Sequence, residues 1–369
     1  MSAKIFHIPF ISTTPTLKLH SILQRNPSKS ASSAPAEHPE AHHFTSLVDF
    51  LSDASLDVVV ICTTPDTHFP LAKQALEAGK HIMIEKPFVP TSAEAEELIY
   101  LADKKGLLLN VYQNRRWDSD FLTLQSLINE KQRLGRIVEF NTHFDRYRPS
   151  NPSPGAWKSS LPLSKGGSAF YDLGTHLVDQ AYVLFGMPCS VFAKLVNQRD
   201  GLFLTPTHPP CTHPSTSASE DIIPDGVDMQ LFYSSGLIAH VRISVVSAEN
   251  RQPRFWVRGS KGSFHKSGLD PQEDQLKAGM KTNESGFGRE SEDCYGRLVT
   301  AGEDGTMTEE AYPTVEPETY NKIYELFGEA LSGKGPVPVP ATEARDVLRI
   351  LEAARESAMT RREVDLTSS

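Results

Sequence analysis

Three side chains carry the chemistry that this sequence offers most directly. The run Lys80-His81-Ile82-Met83-Ile84-Glu85-Lys86-Pro87-Phe88 is a short apolar strand that stops abruptly in a carboxylate, an ammonium and a proline. In an open parallel sheet the ligand crevice lies beyond the carboxyl ends of the strands, so Glu85 and Lys86 are expected to face a site instead of a core. Pro87 restricts Lys86 to extended geometry and permits a cis bond that aims its amine. A second group follows Gly166-Gly167-Ser168: Asp172 and His176, spaced i and i+4, share one face of a helix whose buried face carries Leu173, Leu177, Ala181 and Leu184. A carboxylate one turn from an imidazole can fix its tautomer and raise its basicity, as a proton-transfer residue requires. Each group also has an ordinary reading, a solvated strand end and a surface ion pair.

The elements that must position these residues fall into two styles. From Thr45 onward, helices alternate with apolar strands, Val58 to Cys62, His81 to Glu85 and Leu107 to Tyr112. Continuous apolar runs of this kind are covered on both faces, which predicts an α/β half with a doubly wound parallel sheet. Thr67 is the expected cap of a helix ending at Gly79, and Thr91 with Glu94 forms a capping box for a helix ending at Gly106. An earlier strand closes Leu17 to Leu23. Beyond Asn114 the pattern changes: Val138, Phe140, Thr142 and Phe144 alternate with Glu139, Asn141 and His143, the period of a sheet with one exposed face. Strands at Val227 to Tyr233, Leu237 to Val246 and Phe255 to Arg258 continue a mostly antiparallel α+β region, and helices over Glu318 to Leu331 and Thr342 to Arg361 close the chain. The polar stretches Thr205 to Ser219 and Asp270 to Thr308 read as mobile surface loops. The expected division is 1–114, a Rossmann-like dinucleotide-binding domain; 115–335, a substrate and oligomerisation domain; and 336–369, a helix and tail packing back near the first domain.

A length of 369 residues suits two domains, and 37 basic against 46 acidic residues gives a net charge of -9. That balance speaks against nucleic acid or an anionic membrane as partner. No apolar run approaches the roughly 18 residues that span a bilayer, so a soluble, cytoplasmic protein is expected. Four scattered cysteines make neither a disulfide framework nor a zinc site, and Cys62 reads as a small core residue. No metal is expected; His208, Cys211 and His213 lack a fourth ligand.

Taken together, the strand-end Glu85-Lys86-Pro87, the Gly-Gly turn before Asp172-Leu173-Gly174-Thr175-His176, and Tyr112-Gln113-Asn114-Arg115-Arg116-Trp117-Asp118 resemble the Gfo/Idh/MocA oxidoreductases, nearest to the NADP-dependent inositol and sugar dehydrogenase-like members. The resemblance implies that Lys86 and His176 contact the reacting hydroxyl and that Asp172 binds and orients a sugar or polyol. It also implies that Asn114, Arg115, Trp117 and Trp157 line the pocket, and that the chain forms a homodimer or higher oligomer. Ala3, Phe6, Thr63, Thr64, Pro65, His68, Glu85, Lys86 and Asn114 are expected to edge the cofactor. NADP is favoured over NAD because the strand ending Leu23-Gln24-Arg25-Asn26 offers an arginine and no acid. The resemblance implies a central first strand and a G-x-G-x-x-G/A turn before Ala3, and neither occurs; a gap between the two neighbouring strands is expected, and three readings stay open: a strand and turn upstream of Met1, another segment in that strand's place, or a form that binds no dinucleotide. A non-catalytic sensor on the same scaffold, like the galactose-regulon repressor members, is the rival to the dehydrogenase.

Overall fold

The computed structural model describes residues 2–27, 33–151, 161–204 and 223–367. Its first half holds two small parallel sheets. One pairs β1 (Ser21–Leu23) with β2 (His42–Phe44), and the other runs β3 (Val58–Ile61), β4 (His81–Glu85), β5 (Leu109–Tyr112). Helices Pro65–Glu77 and Ser92–Lys105 connect the strands of the second sheet. The capping box forms as expected: Thr91 accepts from the Glu94 amide while the Glu94 carboxylate accepts from the Thr91 amide, and Gly106 closes the helix at φ 65°. Thr67 is not a cap. The helix begins two residues earlier, at Pro65, and the Thr67 hydroxyl donates to Thr63 Oγ1 (2.7 Å) and to the Thr64 carbonyl (2.8 Å), which spends it on the preceding turn. The expected Leu17 to Leu23 strand is confined to its last three residues.

The second half is one large sheet. It is built from β6 (Ile137–Asp145), β7 (Ser190–Asn197), β8 (Leu202–Phe203), β9 (Gly226–Phe232), β10 (Ile238–Ser244), β11 (Pro253–Gly259), β12 (Gly262–Ser267), β13 (Gly296–Ala301), β14 (Met307–Tyr312) and β15 (Val364–Asp365). All of its pairings are antiparallel except β6 with β10. The helix Ser168–Phe185 covers one face with buried Phe170, Leu177, Val178 and Ala181, while Trp256 and Ile238 stay exposed on the strands. The expected loop from Asp270 to Thr308 is in fact ordered structure: it contains the helix Gln272–Lys277 and β13, and begins β14. Asp270 itself is buried, accepting from the amides of Ser119 (2.8 Å) and Gln272 (3.0 Å). The Thr205 to Ser219 stretch lies outside the described residues.

The last long helix, Ala341–Thr360, joins the halves. It packs on the Ser92–Lys105 and Ser168–Phe185 helices and on β7, and Glu352 accepts from the Ser92 amide (2.7 Å) and hydroxyl (2.5 Å). Just before it, Val339 exchanges hydrogen bonds with Asn110 and Val111 of β5. The strand ends of the first half are thereby held against the helix that carries Asp172 and His176.

Candidate active site

Lys86 sits where β4 ends, and its peptide bond to Pro87 is cis. Its ammonium reaches across to the helix Ser168–Phe185, donating to the Asp172 carbonyl at 2.8 Å and to Asp172 Oδ1 at 2.9 Å. Asp172 is therefore the anchor of Lys86 and not the tautomer-fixing partner of His176 that the i, i+4 spacing predicts. His176 Nδ1 is buried with no hydrogen-bond partner among the described residues. Burial first, and then the Lys86 and Arg115 cations, hold His176 well below the usual imidazole range, while Asp172 acts weakly the other way. A neutral imidazole whose Nδ1 has no partner among the described residues, beside an ammonium, suits proton transfer with a hydroxyl group.

The turn that starts this helix explains why the two groups meet. Gly167 lies so close to Leu161 that a Cβ there would stand 1.9 Å from the Leu161 carbonyl oxygen, and Gly166 (φ 75°) packs its backbone against Pro65 and, more loosely, Pro87. Only glycine permits that approach, which seats the first turn of the helix on the loops after β3 and β4.

Glu85 enters a buried relay. Its carboxylate accepts from the Ser2 hydroxyl and from the Lys86 amide (3.0 Å) and lies 3.1 Å from His7 Nε2, whose Nδ1 is 2.5 Å from the Tyr324 hydroxyl. Burial works to raise the Glu85 carboxyl, but His7 and Lys86 overcome it and hold it near 2. Tyr112 donates to the Phe6 carbonyl (2.8 Å), fixing the amino-terminal segment over the ends of β4 and β5.

A cavity of about 120 Å³ collects these groups: Phe6, Glu85, Lys86, Asn114, Arg115, Asp172 and His176 all line it. Leu173, expected on the helix's buried face, also lines it, and four further liners, Tyr112, Phe144, Arg146 and Glu273, are missed by sequence reasoning, because the partners that place them come from distant strands and helices. Arg115 is fixed by Asp118 (3.1 Å) and by Glu273. Behind it, the fully buried Arg254 bonds Asp120 Oδ2 and Gln180 Oε1, both at 2.9 Å. Burial and the neighbouring Asp120 lift Asp118 to about 6 against the pull of Arg115 and Arg254. Two expected residues fall elsewhere. Trp117 is a core residue, its carbonyl accepting from Gln272 (3.0 Å), because its bulk finds apolar cover away from the cavity. His68 is fully buried, with Nδ1 near the Pro87 and Phe88 carbonyls (3.0 and 3.1 Å) and Nε2 near the Thr63 carbonyl (3.2 Å), so it braces the loops instead of presenting a ring to a ligand. Trp157 and the His208, Cys211, His213 group lie outside the described residues.

Several of the residues expected to edge a dinucleotide stand at the strand ends. Thr64 caps its helix without spending its hydroxyl on the backbone, Thr63 and Arg25 are exposed, and the Ala3–His7 turn of helix starts over Glu85. Pro65 is buried behind them.

The comparisons with known proteins agree with this geometry. Residues 2–113 match the family model described as the NAD-binding Rossmann fold of the Gfo/Idh/MocA oxidoreductases, and residues 126–366 match that family's C-terminal alpha/beta domain. The chain belongs to the Gfo/Idh/MocA oxidoreductase family. Among its relatives is an uncharacterized oxidoreductase of Schizosaccharomyces pombe, 38% identical over 99% of this chain and 97% of that one. The scyllo-inositol 2-dehydrogenase (NADP(+)) of Bacillus subtilis is 31% identical over 99% of this chain and 93% of its own length. A solved oxidoreductase structure from Yersinia pestis superposes with a TM-score of 0.85 at 35% identity, covering 100% of this chain and 95% of that one. As a Gfo/Idh/MocA protein, the chain is an oxidoreductase built on a nucleotide-binding Rossmann half and a mixed-sheet half. No helix among the described residues is long and apolar enough to cross a membrane.

Proposed function

We propose that this protein is an NADP-dependent dehydrogenase or reductase acting on a secondary alcohol, or the matching ketone, of a sugar or cyclic polyol. The observation that carries the reading is the meeting of Lys86 and His176 at one small cavity, with Asp172 holding the ammonium. A nicotinamide bound along the strand ends supplies the hydride acceptor or donor. In the oxidative direction His176 takes the hydroxyl proton onto a ring nitrogen, and the Lys86 ammonium stabilises the alkoxide as it forms. A positioned base of this kind contributes roughly 10²- to 10⁴-fold, and the cation adds electrostatic stabilisation of the developing alkoxide. Asp172 and Arg115 orient the remaining hydroxyls, and Asn114 borders the nicotinamide. NADP is preferred to NAD because Arg25 is exposed at the end of β1 with no acid in that turn, and the Bacillus relative is named for NADP(+). The exposed face of the large sheet packs against a second copy. A screen of polyols and aldoses with NADP, followed at the nicotinamide absorbance, tests the reading: turnover by the wild-type chain, lost in Lys86→Ala, supports it, and undiminished turnover in that variant removes Lys86 from the mechanism.

A further inference from the structure

One basic pair beside the site is unspent. Strand β6 ends at Asp145, yet the chain stays extended: the Arg146 amide donates to the Ser244 carbonyl (2.8 Å), the Ser247 amide to the Arg146 carbonyl (3.0 Å), and the Arg148 amide to the Val245 carbonyl (2.7 Å). Alternate residues of an extended segment share a face. Arg146 and Arg148 thus stand on the side of Phe144, whose ring lies 6.3 Å from that of His176. Arg146 lies 4.8 Å over the Phe144 ring. It lines the Lys86–His176 cavity and also two neighbouring clefts of about 350 and 380 Å³, both of which Arg148 shares.

Neither guanidinium makes a hydrogen bond among the described residues. The Arg146 side chain is only 20% exposed, and its nearest carboxylate oxygen, Glu273 Oε1, is 3.6 Å away, beyond hydrogen-bond reach. Glu273 already serves Arg115 and Lys277. In the 350 Å³ cleft both acids have cations of their own, Asp172 holding Lys86 (2.9 Å) and Asp225 holding Arg199 (2.6 Å). In the 380 Å³ cleft Asp145 faces His143 (3.2 Å) and Asp270 accepts two amides, while Glu249 and Asp274 have no cation among the described residues, so the 350 Å³ cleft is the side suited to an anion. A largely buried guanidinium with its planar fork unfilled is costly alone and well matched to a carboxylate or phosphate.

We propose that Arg146 and Arg148 form an oxyanion subsite, so that the sugar or polyol handled at Lys86 and His176 carries an acidic group, a carboxylate or a phosphate. This deepens the dehydrogenase reading and rests on it for the reacting carbon, while the anion contact itself is measurable without turnover. Titration calorimetry of the full chain with D-glucose, D-glucuronate and D-glucose 6-phosphate reads it directly. At least one acidic sugar binds about tenfold or more tightly than D-glucose, that advantage shrinks as salt is raised, and it is lost in the double variant R146Q/R148Q and partly kept in R146K, which retains the charge without the fork. Glucuronate against the phosphate ester distinguishes the two oxyanions. Equal affinity for all three, no measurable binding of either acid, or an advantage that survives the double variant overturns the proposal. Should the double variant fail to fold, R148Q, at an exposed position, carries the test, and an undiminished advantage there overturns the pair. An acid advantage without NADP reduction by any sugar leaves the subsite standing and sinks the dehydrogenase reading; NADP reduction with no preference for acids does the reverse.

Discussion

His176 is an imidazole kept in its neutral form by its surroundings. Its conjugate acid is disfavoured by burial and by the Lys86 and Arg115 cations, so protonation sets in only well below pH 6.5. On the proposed mechanism the oxidative kcat/KM is therefore expected to show no His176 inflection at the ordinary imidazole pH, and an inflection near 6.5 to 7 assigned to the free enzyme's His176 would contradict this account. The same shift bears on stability. The unfolded chain takes up this proton near pH 6.5 and the folded chain does not, so lowering pH through 6.5 binds more protons to the unfolded state and weakens the fold; buried His68 acts in the same sense. Thermal unfolding followed between pH 8 and 5 checks the sign. If His176 is the base of the proposed reaction, His176→Ala should cost about 10²- to 10⁴-fold in kcat/KM. Lys86, Asp172 and His176 were legible because a charged strand end and an i, i+4 pair are local patterns. Their partnership was not legible: the spacing paired Asp172 with His176, whereas the fold gives it to Lys86, 86 residues away. His7 and Tyr324 are 317 residues apart, and no window of sequence brings them together.

The elements that aim these groups have single points of failure. Gly167→Ala would drive a Cβ to 1.9 Å from the Leu161 carbonyl, forcing the first turn of the Ser168–Phe185 helix off the loops after β3 and β4. Both melting temperature and kcat should fall together, and a variant that keeps both would disprove the close approach. Arg254 is the hidden support of the opposite wall. Replacing it with Met leaves Asp120 and Asp118 buried without their shared cation, and a loss of about 3 to 5 kcal/mol of stability is expected from chemical denaturation. Helix and strand types were readable from periodicity, and the Thr91–Glu94 box from its two residues. The 270–308 segment was misread because its polarity resembles that of a loop. Its order comes from Asp270 accepting the Ser119 and Gln272 amides and from β13 pairing with β12, contacts that composition does not reveal.

At the scale of the whole molecule, the Ala341–Thr360 helix ties the two halves together, so the cavity is a product of their joint packing. The large sheet leaves Trp256 42% and Ile238 37% exposed beside the charged Glu139–Arg258 pair. If a second copy covers this face, sedimentation shows a dimer for the wild-type chain and a monomer for Trp256→Glu; a wild-type monomer contradicts it. The two-part architecture was legible from the change of period after Asn114, and the splitting of the parallel strands into two small sheets was legible from the central first strand that does not occur before Ala3. The central claim is that Lys86 and His176 act on a CH–OH group, and the most direct measurement is NADP reduction across a panel of polyols and sugar acids by wild type, Lys86→Ala and His176→Ala, each shown to be folded. The account predicts turnover of at least one compound that both substitutions lower by about 10² or more. Equal rates in all three proteins, or sugar binding with no reduction of NADP by any compound, would contradict it.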